Sequence, residues 1–254
     1  MIIYGELANE KMIIHKESPF RKLPVNLERR QAIFLDGIRF SVEIAELAYR
    51  RLRLTLADIS TDHDTKVDGV PIATVSVIQD AWTFLDSIFR LRALLHRMPR
   101  IRKKDLEYQQ FIRKTKSVDD MRNVVQHLDS EIPRLEKLNI SAWGCLSWAY
   151  LVDSKSFVVN SYVLIPGLMF EGGSYPIVNP MGKRFYDEID QITLHSSDCS
   201  ANISEIMREV EKYVVGISNS LSKQLKKTKR GPSDALMIAT FQVGKRPDSI
   251  PSNR

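Results

Sequence analysis

The pattern that most constrains the fold runs from Leu27 to Ile59, where apolar residues recur in steps of three and four. Such steps place these residues on one side of an α-helix. The stretch therefore predicts one amphipathic helix near 50 Å long, at about 1.5 Å per residue. Pro24 suits the first turn of this helix, because proline has no backbone N–H and the N–H groups of a first turn have no acceptor within the helix. The residues of the stripe are Phe34, Ile38, Val42, Ala45, Tyr49, Leu52, Leu56 and Ile59.

Three further helices are predicted before residue 135. The stretch Pro71–Met98 is apolar on nearly every side and is therefore expected at the centre of the fold. A shorter helix is expected over Lys104–Lys114. A fourth is expected over Ser117–Ile132, because Ser117 with an acid three residues later resembles a capping box. Pro133 is taken as its limit.

The period of the sequence changes after Asn139. Ile140–Val152 and Ser156–Ile165 are rich in aromatic and β-branched residues, and a short polar turn separates them. That combination predicts a β-hairpin, and Gln191–His195 is expected to add a strand. Asn202 then precedes a last apolar stripe of helical spacing, so it is expected to cap a C-terminal helix.

Helices followed by strands and then a helix predict an α+β fold, in which an antiparallel β-sheet is inserted before the last helix of a helical bundle. A small sheet needs helices on one face, so residues 1–228 are expected to form a single domain. A flexible basic tail is expected after it. The expected parts are a helical bundle (24–135), a β-sheet segment (139–195), a C-terminal helix (202–228) and the tail (229–254).

Cysteine usage and hydropathy bear on the cell compartment. The two cysteines, Cys145 and Cys199, form no CxxC pair and are too few for a disulfide framework, which favours a reducing compartment. No signal-peptide core is visible at the start, and no apolar run approaches the roughly 20 residues that span a bilayer. A cytoplasmic protein without a membrane segment is expected.

The net charge of +6 is unevenly distributed. Residues 221–254 hold eight basic and two acidic residues, and residues 90–116 hold ten basic residues against Asp105 and Glu107. A basic stretch of this kind can follow a phosphate backbone, although a solvated helix end balanced by acids elsewhere gives the same pattern. The nucleic-acid-binding candidates are Arg97, Arg100, Arg102, Lys103, Lys104, Arg113 and Lys114.

One short stretch carries a possible catalytic motif: Arg122, Asn123 and His127, with four residues between the arginine and the histidine. It resembles the signature of HEPN domains, which have Arg, four to six residues, and His on a helix of an all-α bundle. The resemblance covers roughly 24–135 and the last helix. It implies a metal-independent ribonuclease that works as a homodimer, with the two motifs meeting at the two-fold axis.

The residue types suit RNA cleavage without metal. Histidine as a residue type titrates near neutrality, so the imidazole of His127 can serve as base for the 2′-hydroxyl or as acid for the leaving 5′-oxygen. Arg122 can hold phosphate oxygens, and Asn123 can orient either group. Asp86 and Arg90, four apart on the central helix, are supporting candidates, with an internal salt bridge as the alternative.

Helix geometry sets a condition on this motif. Asn123 and His127 lie about 40° apart on an ideal helix and share a face, which is expected to line a groove. Arg122 and His127 lie about 140° apart, so a second subunit or a distorted turn is needed to bring them together. Alternatively, Arg122 is a surface ion-pair partner and His127 a half-buried helix residue. The pair Arg90 and His96 also fits the spacing, but the helix dipole explains a histidine at a C-terminus.

Three functions remain open on the sequence. The first is a HEPN-like endoribonuclease, acting on RNA in stress or defence. The second is a non-catalytic protein that binds a protein partner through its sheet or tail. The third is a nucleic-acid binder that relies on the basic stretch and tail. No cofactor or metal is expected, since Asp62, His63 and Asp64 lack the spacing of a calcium loop.

Overall fold

A computed structural model describes residues 12–61, 66–67, 70–71, 73–167, 175–224, 231 and 234–241. Six helices lie along these residues: α1 (Arg29–Thr61), α2 (Thr74–Arg97), α3 (Leu106–Lys114), α4 (Ser117–Gln126), α5 (Leu128–Leu138) and α6 (Ile203–Gln224). The strands are β1 (Lys66–Val67), β2 (Val70–Pro71), β3 (Cys145–Asp153), β4 (Val158–Leu164), β5 (Ile189–Ser196) and β6 (Cys199–Asn202).

Helices α1 and α2 pack along their length and form the centre of the fold. The predicted stripe of α1 is buried from Ile38 to Ile59, as its spacing requires. The residues that α2 buries lie on one side of the helix, whereas Val75, Gln79, Arg90 and Ala93 on the other side are exposed, so α2 is not covered on nearly every side as its sequence predicted. Its main buried residues are Val77, Ala81, Phe84, Leu85, Ile88, Leu91 and Leu95.

Four antiparallel strands form a sheet in the order β4-β3-β5-β6, inserted between α5 and α6. The α+β class and the predicted hairpin are therefore confirmed. Strand β6 was not predicted from the sequence. It is four residues long, reads Cys-Ser-Ala-Asn, and pairs with β5 across a tight turn at Ser197, whose φ is 56°. Without β-branched residues it has no strand signal of its own.

The sheet meets α1 at Trp148 of β3. Its indole is 1% exposed and stacks on the ring of Tyr162, with 5.2 Å between ring centroids. The indole Nε1 donates to Ser60 Oγ at 2.9 Å, and the Tyr162 hydroxyl donates to the Ser60 carbonyl at 3.2 Å. The last turn of α1 thus supplies polar partners for the buried Trp148 and the half-buried Tyr162.

The predicted helix over Ser117–Ile132 is wrong in three respects. The structure has two helices there, and His127 separates them with φ −115° and ψ 30°. Lys116 rather than Ser117 occupies the N-cap position, and no side-chain bond caps α4. Pro133 lies inside α5, whose first turn starts on the His127 carbonyl. The apolar residues of the two short helices keep the same helical spacing on both sides of His127, so the spacing alone could not reveal the break.

The tail expected over 229–254 contacts the body at two described residues. Gly231 N donates to the Leu23 carbonyl at 2.9 Å, and Asp234 accepts from Arg39 at 2.6 and 3.0 Å. Residues 234–241 have no regular secondary structure and are exposed. The remainder of the tail lies outside the described residues, so its expected flexibility stays a prediction.

Both cysteines are free thiols: Cys145 is buried in β3 and Cys199 is half-buried at the start of β6. Burial raises the pKa of the Cys145 thiol to about 11, so it is protonated near neutrality. Among the described helices, none is long and apolar enough to cross a membrane.

Removing the hydrogen bond between Ser60 and Trp148 is expected to lower the stability of the fold. Ser60→Ala should lower the free energy of unfolding by about 1–3 kcal/mol, because the buried indole N–H loses its acceptor. The neighbouring Thr61→Ala is the matched control: its hydroxyl bonds only carbonyls of its own helix and is exposed. Urea denaturation of both variants checks this, and equal losses would contradict it.

Candidate nucleic-acid interface

Arg122 is fixed against α2. Val118, Met121 and Val124 of α4 are buried, which places Arg122 at the edge of the helix contact. Its guanidinium carbon lies 3.9 Å from the centre of the Phe89 ring, and its Nε is 3.4 Å from Asp86 Oδ1. The second oxygen of Asp86 accepts from Arg90 Nε at 2.7 Å. The structure thus joins Arg122 to both supporting candidates, and adds Phe89, which the sequence did not suggest.

His127 and Asn123 are both exposed, and the groove that they are expected to line stays a prediction. The backbone N–H of His127 donates to the Asn123 carbonyl at 3.2 Å, so the helical turn is kept up to the break. Within the described residues, the imidazole has no hydrogen-bond or ion-pair partner, and nothing links it to Arg122. One chain therefore does not assemble the motif into a site.

The seven predicted nucleic-acid-binding residues are all exposed. They lie at the end of α2, in the loop after it and in the last turn of α3. Among the described residues, only Lys114 of the seven forms an ion pair, with Glu209. Arg92, inside the same basic stretch, is instead buried: it binds the Asp119 carboxylate at 2.5 and 3.1 Å and the Ile112 carbonyl at 2.6 Å.

Lys114 also borders an open cleft of about 750 Å³ between α3, α6 and the loop that precedes β5. Four of its cations come from segments far along the chain, so the local basic stretch gave no sign of them. The cationic residues of the cleft are Lys114, Lys183, Arg184, Arg208 and Lys212, and its acidic residues are Glu205 and Glu209.

Asp190 holds the wall of this cleft in place. Its carboxylate is fully buried and accepts from Arg208 Nη1 at 2.9 Å, Tyr186 N at 3.0 Å and Gln191 N at 2.6 Å. Gln191 then donates from Nε2 to the Arg184 carbonyl at 3.3 Å. A buried carboxylate needs such partners, and satisfying them fixes the loop from Arg184 to Tyr186 beside α6.

The cleft carries excess positive charge. Lys114 pairs with Glu209 and Arg208 pairs with Asp190. Lys183, Arg184 and Lys212 have no carboxylate partner among the described residues. The Tyr186 side chain is largely exposed, and the Arg208 guanidinium lies 4.6 Å from its ring centre. Free cations beside an exposed aromatic ring are the elements of a site for phosphates and bases.

A serine–histidine pair in the sheet was missed by the sequence because its members are on different strands. Ser147 Oγ lies 2.8 Å from His195 Nε2. Ser147 is only 1% exposed, and burial lowers the pKa of His195 below its ordinary 6.5. No described carboxylate contacts the imidazole. We therefore interpret this pair as a structural hydrogen bond between a closed-off hydroxyl and a neutral ring.

In the part of the chain that the structure describes, no three His, Cys, Asp or Glu side chains lie close enough together to hold a metal ion. The acidic loop with Asp62, His63, Asp64 and Asp68 lies outside that part. The expectation of a metal-free site stays a prediction.

The lowered pKa of His195 predicts a pH-dependent stability. Below pH 6.5 the unfolded chain binds a proton that folded His195 does not, so His195 makes stability fall as the pH drops from 6.5 towards its lowered pKa. His195→Gln keeps a hydrogen-bonding side chain but removes the titration. The loss of stability between pH 7.5 and pH 5.5 should therefore be smaller in this variant, as measured by urea denaturation at both pH values. An unchanged loss would contradict the assignment.

Comparison with known proteins adds nothing to this geometry. No family model matches the chain, and no curated protein or solved structure is significantly similar to it. What the protein does must be inferred from its own residues and contacts.

Proposed function

We propose that this protein binds single-stranded RNA in the cleft between α3, α6 and the loop before β5. The observation that carries the proposal is a set of three cations around one open cavity, Lys183, Arg184 and Lys212, which have no carboxylate partner within the described part of the chain. Unpaired cations bind phosphates without first giving up a protein carboxylate. Releasing counterions from the nucleic acid then supplies much of the affinity.

Tyr186 favours a single strand over a duplex as the ligand. An exposed aromatic ring can stack on an unpaired base, whereas the bases of a duplex are already stacked on each other. Such stacking contributes about 1–3 kcal/mol per base and depends little on base identity. The proposed binding is therefore broad in sequence.

The predicted basic stretch extends the surface away from the cleft. Lys114 belongs both to the basic stretch and to the cleft. It lies at the C-terminal end of α3, about 12 Å along the helix from the N-terminal end, at 1.5 Å per residue. Lys103 and Lys104 lie just before α3 and are exposed. A strand held at the cleft would thus meet further unpaired cations within a few nucleotides.

The cleft predicts a salt-dependent loss of binding in one triple variant. Replacing Lys183, Arg184 and Lys212 with Ala should weaken binding of a 12-nucleotide RNA by at least roughly tenfold at low salt. The slope of log affinity against log salt should also fall, by roughly 0.7 for each phosphate that the variant no longer neutralises. Fluorescence anisotropy over a salt series measures both.

The matched control removes three exposed lysines that do not line the cleft: Lys137, Lys155 and Lys223. The control lowers the net charge by the same three units. If both triple variants weakened RNA binding equally, overall charge would explain the effect, which would contradict a specific site. Tyr186→Ala should weaken binding of single-stranded RNA more than binding of duplex RNA.

RNA cleavage is a second candidate, and the exposed His127 on the helix of Arg122 is the observation that favours it. The resemblance to the HEPN signature supplies the chemistry. A base takes the 2′-hydroxyl proton, the 2′-oxygen attacks phosphorus, and the bond to the 5′-oxygen breaks as that oxygen is protonated. One histidine cannot be base and acid at once, so two copies of the motif are proposed to share the work.

This candidate predicts cleavage of single-stranded RNA in EDTA, with 2′,3′-cyclic phosphate ends. His127→Ala and Arg122→Ala should each abolish it. His96→Ala should matter much less, because His96 lies at the end of α2, with its Nδ1 3.4 Å from the Tyr108 hydroxyl. Cleavage that survives His127→Ala, or that EDTA abolishes, would refute this candidate and leave RNA binding untouched.

A further inference from the structure

The chain from Ala235 to Phe241, here called the tail segment, presents four large apolar side chains to solvent. Leu236, Met237, Ile238 and Phe241 are between 81% and 90% exposed. No backbone hydrogen bond joins the segment to the rest of the described chain. Scattered apolar residues on a surface are ordinary, but four within six positions form a patch of the kind that marks an interaction site.

A second exposed apolar surface runs along α1, and we call it the α1 outer stripe. It consists of Ile33, Phe40, Ile44 and Leu47, which are between 38% and 63% exposed. Their spacings of seven, four and three residues place them on one line, since such steps return to the same side of a helix. That side lies opposite the face that α1 buries against α2. Helix α1 is thus apolar on two sides, and only one is covered within the described chain.

One ion pair joins the two surfaces. Arg39 of α1, whose side chain is only 1% exposed, binds both carboxylate oxygens of Asp234, the residue directly before the tail segment. The Arg39 guanidinium carbon also lies 4.2 Å from the centre of the Phe40 ring, within the outer stripe. The hydrogen bond from Arg39 lowers the pKa of the Asp234 carboxyl, as expected of a pair formed in the charged state. The tail segment therefore starts beside the outer stripe.

The two surfaces also match in length. The outer stripe spans about 21 Å from Ile33 to Leu47 at 1.5 Å per residue. Seven residues of extended chain span at most about 23 Å. Yet Phe40 and Leu236, which flank the ion pair, are both exposed, so the segment does not cover the stripe of its own chain.

We infer that the tail segment of one copy docks on the α1 outer stripe of a second copy, in a two-fold symmetric dimer. Each chain then provides one segment and one stripe, and the two-fold axis buries both pairs at once. Charge favours the pairing too: Lys229, Arg230, Lys245 and Arg246 flank the segment in sequence, and the exposed carboxylate of Asp36, which also pairs with Arg39, lies one helical turn from Ile33 of the stripe.

The exposed area of the two surfaces is of the size that a stable dimer buries. The eight side chains expose on the order of 1,000 Å² of mostly apolar surface in each copy, against the ~800 Å² per partner of a standard interface. None of the eight lines the RNA cleft. Dimerisation and RNA binding can therefore be tested independently.

Sedimentation of the full chain over a range of concentrations tests the inference. The wild-type protein should sediment as a dimer. A stripe variant (Phe40→Glu with Ile44→Glu) and a tail variant (Leu236→Glu with Ile238→Glu) should each be monomeric and keep the wild-type helical circular dichroism. The control replaces two equally exposed apolar residues outside both surfaces, Leu106→Glu with Met181→Glu, and should remain dimeric.

Mixing the stripe variant with the tail variant separates exchange between copies from other arrangements. In the mixed pair, the intact tail segment of the stripe variant meets the intact stripe of the tail variant, so one of the two contacts is restored. Equal amounts of the two monomers should therefore associate, although each alone does not. A monomeric wild-type chain would overturn the inference, and so would two variants that fail to associate when mixed.

Discussion

The packing of α1 against α2 is the interaction on which the other elements depend. The 33-residue α1 is long enough to pack on α2 and still offer contacts to other elements. Near its middle, Glu46 accepts from the backbone N–H of Ile13 at 3.0 and 3.1 Å. At its end, Ser60 anchors Trp148 of the sheet. Between the two, Arg53 pairs with Asp187 at 3.1 Å and so ties the loop before β5, which borders the cleft, to the same helix.

Buried charges connect the functional surfaces to this frame. Arg92 holds the turn between α3 and α4 through Asp119, and Asp190 holds the cleft loop through Arg208. Breaking a buried pair by removing one member leaves an uncompensated charge, which costs more than an exposed pair contributes. Asp190→Asn should accordingly disturb the loop from Arg184 to Tyr186, although Asp190 itself does not line the cleft. The cleft thus depends on residues that no ligand would touch.

The sequence predicted the fold better than the site, for a physical reason. The long apolar period of α1, the apolar residues of α2 and the β-branched hairpin are local signals, and the structure confirms the helix or hairpin that each predicts. The residues of the short strand β6 and of the helix break at His127 give no local signal. These features depend on contacts with residues that are distant in the sequence. The same holds for the cleft: Lys114 was among the predicted binding residues, whereas Lys183 and Arg208 reach it only through the folding of the sheet.

Arg122 shows how a correct local pattern can mislead about geometry. The sequence allowed it a surface ion pair, and the structure gives it one with Asp86, together with a contact to the Phe89 ring; the Asp119 carboxylate of its own helix is bound by Arg92. The aromatic contact and the shared carboxylate hold its guanidinium on α2. His127 has no comparable support, since the helix ends at it and the imidazole stands in solvent.

RNA binding and RNA cleavage therefore make different demands on this molecule. Three cations of the cleft, Lys183, Arg184 and Lys212, have no carboxylate partner among the described residues, so a phosphate can bind them without displacing one. At the motif, a phosphate must compete with Asp86 for Arg122. His127 does not converge with Arg122 within one chain, so a histidine of a second copy must complete the site. Competition with a carboxylate reduces the affinity of an isolated motif, whereas a strand already held in the cleft of the same protein raises the local concentration of phosphate. If both proposals hold, the cleft supplies the affinity and the motif acts only when a second copy is present.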